Sequence, residues 1–336
     1  MDKDLTKHTD TDTDIDTDID TGIDTGSDTG SDTPTWDVVV VGAGSAGLQA
    51  AQTLGRMHRS TLVVGTDRYR NDPTGHMHNF LGHDGAPPAE LRTAARKDVE
   101  AYADVELRDA EVLRISGEAG DFLVELAGED PVRARRVLLA SGVHDTLPDV
   151  PGVAEEFGDL VAHCPFCHGH EFSGTRVGIL GSAAHVAAMA SMVGPIASEV
   201  VVLAHGDVLD DATATTLERL GVPVVPGRVA AVRREGEGLV VDVEDSDSVA
   251  LGGLFVKTDW ALAAPHAAQL GVELSEMGAV VVDAFGRTSV PGVYAAGDMA
   301  QGPGLPMPMA SVLVAASAGL LAAAACVQDA ALERMA

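Results

Sequence analysis

The chain has 336 residues, a formal net charge of −29 and 46% hydrophobic residues, so it can bury real cores. The length suggests about two domains. Charge of this sign and size repels nucleic acid and anionic membrane surfaces, and neither is expected as a partner. Aromatic residues make up only 4%, so the cores must be built mostly from Val, Leu and Ala.

Residues 1–34 carry eleven Asp against two Lys, in Thr-Asp repeats that drift into Thr-Gly-Ser-Asp units. With almost nothing apolar to bury, this segment reads as a disordered acidic low-complexity tail. It lacks a basic start followed by an apolar stretch, so it is not read as a secretory signal. No run is expected to span a bilayer. Residues 309–327 come nearest, but they are Ala-rich and hold Ser311 and Ser317, which favours a buried helix. A cytoplasmic location follows from these readings.

Folded structure is expected from Trp36. Asp37–Val41 is a short β-branched run suited to a buried parallel strand. Gly42-Ala43-Gly44-Ser45-Ala46-Gly47 follows, then a helical stretch, Leu48–Met57, and a second strand, Ser60–Val64. This is G-x-G-x-x-G between a strand and a helix. Gly42 permits the tight turn, Gly44 lets the backbone approach a pyrophosphate, and Gly47 lets helix and strand pack closely. The pyrophosphate would rest on the N–H groups at Ser45 and Ala46, where the helix begins. Asp67, about 20 residues on, suits the ribose hydroxyls.

Further along lies His163-Cys164-Pro165-Phe166-Cys167-His168-Gly169. Two cysteines at this spacing can close a redox-active disulfide, in which one thiolate is unusually acidic. They also make half a zinc site, with His163, His168 and His170 as nitrogen donors, or an incidental pair. The third cysteine, Cys326, lies far off in an Ala-rich segment and reads as a small buried residue. After the C-x-x-C comes a second strand–turn–helix–strand pattern: Arg176–Leu180, then Gly181-Ser182-Ala183-Ala184-His185-Val186, a helix through about Val193, and Glu199–Ala204.

Two more segments complete the pattern. Ala295-Ala296-Gly297-Asp298 resembles the second FAD signature of two-dinucleotide-domain flavoproteins, in which the Asp binds the ribityl chain. Leu138-Leu139-Ala140-Ser141-Gly142 resembles the internal Ala-Thr-Gly of the same group, with Ser141 for Thr and Gly142 retained. The order of these motifs resembles the low-molecular-weight thioredoxin reductases over residues 36–328. The resemblance implies an α/β fold of two Rossmann-like flavoprotein domains. Residues 36–150 and 255–328 would form a discontinuous FAD domain, and 151–254 an inserted NADPH-domain-like unit carrying the C-x-x-C. It makes FAD the cofactor and the cysteine pair redox-active, with no metal. Asn79 matches an Asn near the flavin ring. The helix after Met307 and Met309 would point its N-terminus at the flavin, and a homodimer is implied.

The departures carry direction. NADPH-using relatives have Gly-x-Gly-x-x-Ala in the second turn, where this chain has Gly181, Ala183 and Val186. Relatives place basic residues after the next strand to grip a 2′-phosphate. Here stand His205-Gly206-Asp207, then Asp210 and Asp211, so NADPH is not expected to bind. Thioredoxin reductases follow the second cysteine with an acid, whereas this chain has His168. A neutral imidazole suits a base that strips thiol protons. These features resemble the dithiol oxidases of the gliotoxin and holomycin type. They imply a small-molecule dithiol as substrate, with O2 as acceptor and hydrogen peroxide as product. The competing expectation is an NAD(P)H- or ferredoxin-dependent disulfide reductase.

Overall fold

The computed structural model describes residues 35–336, so the expected tail lies outside the described residues. The first strand, Thr35–Val41, is the axis of the larger sheet. It pairs in parallel with Thr61–Gly65 on one side and Val132–Leu139 on the other. Its four valines alternate between two cores, one on each face of the sheet. This two-sided burial is why the run is continuously apolar. Strand Val293–Ala295 joins the sheet beside Val132–Leu139, which brings the Ala-Gly-Asp segment next to the glycine turn although some 250 residues separate them in sequence.

Helix Ser45–Arg56 packs its Ala, Gly and Leu face onto this sheet and against the last helix, Val312–Glu333. The two helices approach closely because both present small residues. A methyl group on Gly319 would collide with the backbone of Ala46. The last helix starts at Val312, capped by the Ser311 hydroxyl, and buries only the stripe from Ala315 to Cys326. The sequence reads as a buried helix with no run long and continuous enough to span a bilayer. Its 22 residues are long and apolar enough to cross one, yet its small-residue face is packed into this fold. Leu313, Val314, Leu320 and Leu321 lie on the uncovered face. Cys326 is buried, with its thiol pKa pushed far up by burial.

The inserted unit has a five-stranded parallel sheet of its own, ordered Val224–Val225, Glu199–Leu203, Arg176–Leu180, Gly253–Val256, Val161–Ala162. A three-stranded antiparallel sheet, Val229–Val243 with Val249–Leu251, flanks it. Strand Gly253–Val256 lies inside the parallel sheet, between Arg176–Leu180 and Val161–Ala162. The return to the first domain therefore comes after Val256, not at residue 255. An antiparallel ribbon, Val143–Thr146 with Asp259–Leu262, carries the chain out and back. Among the largest fully buried side chains only Phe122 and Phe255 are aromatic, and the rest are Leu and Ile.

Candidate active site

At the first glycine turn, Gly42 has φ of +115°, and a Cβ there would collide with the Ala140 carbonyl. A Cβ on Gly47 would collide with the Gly42 carbonyl oxygen. At Gly44 the nearest atom to a built Cβ is 4.0 Å away, on the Tyr69 ring, so the backbone there faces open space. The helix beginning at Ser45 has no side-chain cap and no acidic residue in its first turn. Its N–H groups stay available, which suits a pyrophosphate. Ser141 and Gly142 follow the neighbouring strand, and Gly142 has φ of +71° with no atom within 4 Å of a built Cβ. Asp67, in the left-handed region at +54°, lines a cavity of about 420 Å³ with Tyr69, Asp72, Arg92 and Arg96. Tyr69, which lines that cavity, is also the residue nearest a Cβ built on Gly44.

Asp298 is half-buried, and its expected partner is a hydroxyl. The structure also gives it one that the motif does not reveal. Arg70 Nη1 donates to Asp298 at 2.9 Å, while Nε and Nη2 form a fork on Asp145 at 2.6 and 2.8 Å. Thr258 adds a hydrogen bond to Asp145 at 2.9 Å. Asp145 and Thr258 belong to the two crossings between domains, so Arg70 ties the ribbon to the Ala-Gly-Asp loop. Burial raises the Asp298 carboxyl pKa against the pull of Arg70, whereas for Asp145 the Arg70 bonds outweigh burial and lower it. Replacing Arg70 by Met would leave two carboxylates without their counter-ion. We expect a loss of about 3–5 kcal/mol, measured by chemical unfolding. The variant's deficit should narrow as pH falls, because Asp298 with its raised pKa is then protonated and neutral.

Cys164 and Cys167 are joined in a disulfide, with Cα atoms 5.3 Å apart. Neither sulfur is then a free thiolate for a metal, and His163, His168 and His170 form no metal-binding group with them among the described residues. Cys164 caps a single helical turn, Pro165–His168, and Cys167 lies within it. Phe166 stands 74% exposed beside it. Phe172, five residues after Cys167, is core, packed edge-on against Phe255 at 5.3 Å. Met307 and Met309 are exposed at the start of the last helix.

His168 is half-buried and holds its Nε2 at 3.2 Å from the Gly158 carbonyl. That bond places the hydrogen on Nε2 and leaves Nδ1 as the acceptor. Nδ1 is buried and has no partner. Burial lowers the His168 pKa below 6.5, so the ring is neutral near pH 7. His163 is lowered too, first by burial and then by Arg70, and stacks on Phe157.

Asn79 does not simply await a ring. It has φ of +60°, and its amide donates to the Phe166 carbonyl. The loop that holds it, residues 70–84, leaves the first domain and lies on the cysteine segment. Gly158, with φ of +96°, has Pro73 so close that a Cβ would not fit. The same loop brings His76 and His78 beside His168, a grouping that the sequence reading did not single out.

A C-x-x-C disulfide on the inserted unit, together with a glycine turn shaped for a dinucleotide on the first, is the combination of a flavin-dependent disulfide oxidoreductase. Residues 36–319 match the pyridine nucleotide-disulphide oxidoreductase family, and the chain belongs to it. It is 31% identical to thioredoxin reductase sirT of Leptosphaeria maculans, over 85% of this chain and 92% of that one. It is 33% identical to thioredoxin reductase aclD of Aspergillus oryzae, over 79% and 88%. Among solved structures, HlmI superposes with a TM-score of 0.83 at 35% identity, covering 90% of this chain and 94% of that one. An oxidoreductase from Agrobacterium tumefaciens gives 0.81 at 32%, covering 89% and 99%. The family implies FAD, and the open backbone at Gly44, the uncapped helix and the Asp298 carboxylate fit it.

Proposed function

We propose that this enzyme oxidises a small-molecule dithiol to its cyclic disulfide, using FAD and O2, and does not draw electrons from NADPH. The observation that carries this reading is the second glycine turn. The His185 ring, at the start of helix His185–Val193, lies 3.2 Å from a Cβ built on Gly181, so an imidazole packs into the turn itself. Its Nε2 is buried without a partner. Ser182 is hydrogen-bonded to Asp207 at 3.3 Å, which draws a carboxylate across the turn. Asp210 is committed to capping the next helix through Thr213.

The first turn, Asp67, Ser141, Gly142, Gly297 and Asp298 would hold FAD, which would supply two-electron chemistry between the reduced cysteines and O2, with hydrogen peroxide as product. The remaining chemistry belongs to the chain. A first substrate thiol gives its proton to His168, which must pass it to solvent, and its sulfur attacks Cys164, forming a mixed disulfide and releasing Cys167 as a thiolate. His168 Nδ1, neutral again, takes the proton of the second substrate thiol. That second sulfur attacks the substrate sulfur bonded to Cys164, the cyclic disulfide leaves, and the imidazolium returns its proton to Cys164, which departs as a thiol. Because the base works in its neutral form, activity should fall as pH drops through the lowered His168 pKa and be flat above it. His168→Ala should lose about 100-fold in rate at neutral pH, together with that acidic limb. An unchanged pH–rate profile would exclude the base.

A reductase fed by a nicotinamide has one observation in its favour. Arg228 lies against Gly206, with its Cβ 3.7 Å from a built Cβ there, near the loop that would meet a 2′-phosphate. Anaerobic mixing decides between the two. Dithiothreitol should bleach the oxidised-flavin band, and NADPH or NADH should not. Bleaching by NADPH but not by the dithiol would reverse the assignment. Pairing with a second copy through the uncovered face of the last helix is part of this proposal. Sedimentation equilibrium should give twice the chain mass, and Leu320→Glu should halve it.

A further inference from the structure

We propose that His76 and His78 carry the thiol proton from His168 to solvent, with Asp84 and Glu171 holding the charge in transit. This rests on the dithiol-oxidising reading and adds a proton path to it.

The need for a path follows from the balance of the exchange step. A dithiol and the Cys164–Cys167 disulfide give a cyclic disulfide, one cysteine thiol, one cysteine thiolate and one proton. Two electrons pass from the substrate sulfurs to the cysteine pair. The proton collected at His168 has to leave before the ring can act again. His168 cannot release it through its other nitrogen, since Nε2 is held by the Gly158 carbonyl.

The loop from the first domain supplies the outlet. The His76 ring lies 5.9 Å from that of His168, centroid to centroid, within reach of proton transfer over one water. His76 Nδ1 is 2.9 Å from His78 Nε2. His78 Nδ1 is 3.4 Å from the Asp84 carboxylate, and its Nε2 is 3.3 Å from Glu171. Each ring then uses its two nitrogens once. His76 accepts on Nε2 and releases from Nδ1, and His78 accepts on Nε2 and releases from Nδ1 beside an exposed carboxylate. Asp84 is itself fixed by the Asn79 N–H at 3.0 Å, and that bond, with His78, keeps its pKa low. It therefore acts as a fixed negative charge and not as a proton carrier, and water takes the proton from His78. The charged and titratable groups facing the pair are His168, Glu171, Asp84 and, beyond Asp84, His170. The path joins two domains, because His76, His78 and Asp84 come from the loop and His168 and Glu171 from the cysteine segment.

The test uses FAD-loaded enzyme mixed anaerobically with dithiothreitol in weak buffer. Disulfide opening is read by quenched alkylation of Cys164 and Cys167, and proton release by an indicator dye. In wild type the two should rise together, with a normal solvent deuterium isotope effect. His78→Phe should slow both on the order of 100-fold at neutral pH, and Asp84→Asn roughly 10-fold. Added imidazole should restore His78→Phe, which a merely structural defect would not allow. Asp84 is exposed, so its variant keeps the test alive should His78→Phe fail to fold. Variants that match wild type in rate, proton release and isotope effect would overturn the path, as would a loss that imidazole does not rescue. Failure of dithiothreitol to bleach the flavin would instead count against the dithiol-oxidase reading, while the proton measurement on disulfide opening still stands.

Discussion

Cys164→Ser and Cys167→Ser should each abolish turnover, with a loss on the order of 10⁴-fold or more, as expected when a group that is covalently attacked is removed. Serine cannot form the disulfide, and its hydroxyl is far too weak an acid to leave as the thiolate does. The two variants should differ by spectrum. Cys164→Ser leaves Cys167 as a lone thiol and should retain any thiolate-to-flavin charge-transfer band, whereas Cys167→Ser should lose it. Neither should unfold the protein. The bridge spans a sequence separation of only 3, so it constrains the unfolded chain little. Full dithiol oxidation by either variant would show that the exchange relay is wrong.

Gly47→Ala is the second large effect. The added methyl would meet the Gly42 carbonyl oxygen, which is backbone, and the strand and helix would have to part to admit it. Overpacking of this kind costs typically 1–3 kcal/mol, and the rigid partner places this site at about 3 kcal/mol. The purified variant should be colourless and should melt well below wild type. Gly44→Ala separates the two consequences. Its φ of −79° suits alanine, and no atom approaches closer than 4.0 Å. The cofactor-free protein should therefore keep its stability to within about 0.5 kcal/mol, since a Gly→Ala change at a compatible position is close to neutral or mildly favourable. FAD should nevertheless be released, because the methyl stands where the pyrophosphate approaches. Thermal unfolding with and without added FAD reads both, as bound FAD raises the melting temperature only of a protein that retains the site. If Gly44→Ala binds FAD as wild type does, this turn is not the cradle.

The glycine turns were legible because their requirement is local. A residue with φ of +115° beside the next strand's carbonyl must be glycine, and the valine run before it announces a strand buried on both faces. The C-x-x-C spacing likewise allowed the disulfide that the structure contains. Reading went astray where burial depends on a neighbour. Phe172 is near the disulfide in sequence but is core, because Phe255 arrives beside it from a strand 83 residues later. The last helix reads as buried, and the structure packs only its small-residue stripe against the first helix.

By itself, then, the sequence marked the two strand–turn–helix units, the C-x-x-C pair and the histidine beside it, since each is read from residues within a few positions of one another. Only the tertiary structure decided which charges and rings meet. Arg70 lies 75 residues from Asp145 and 228 from Asp298, and no periodicity links them. His76 and His78 reach His168 because a loop of one domain lies across the edge of the other. Such pairings are set by how two cores dock, and a single sequence holds no local mark of that.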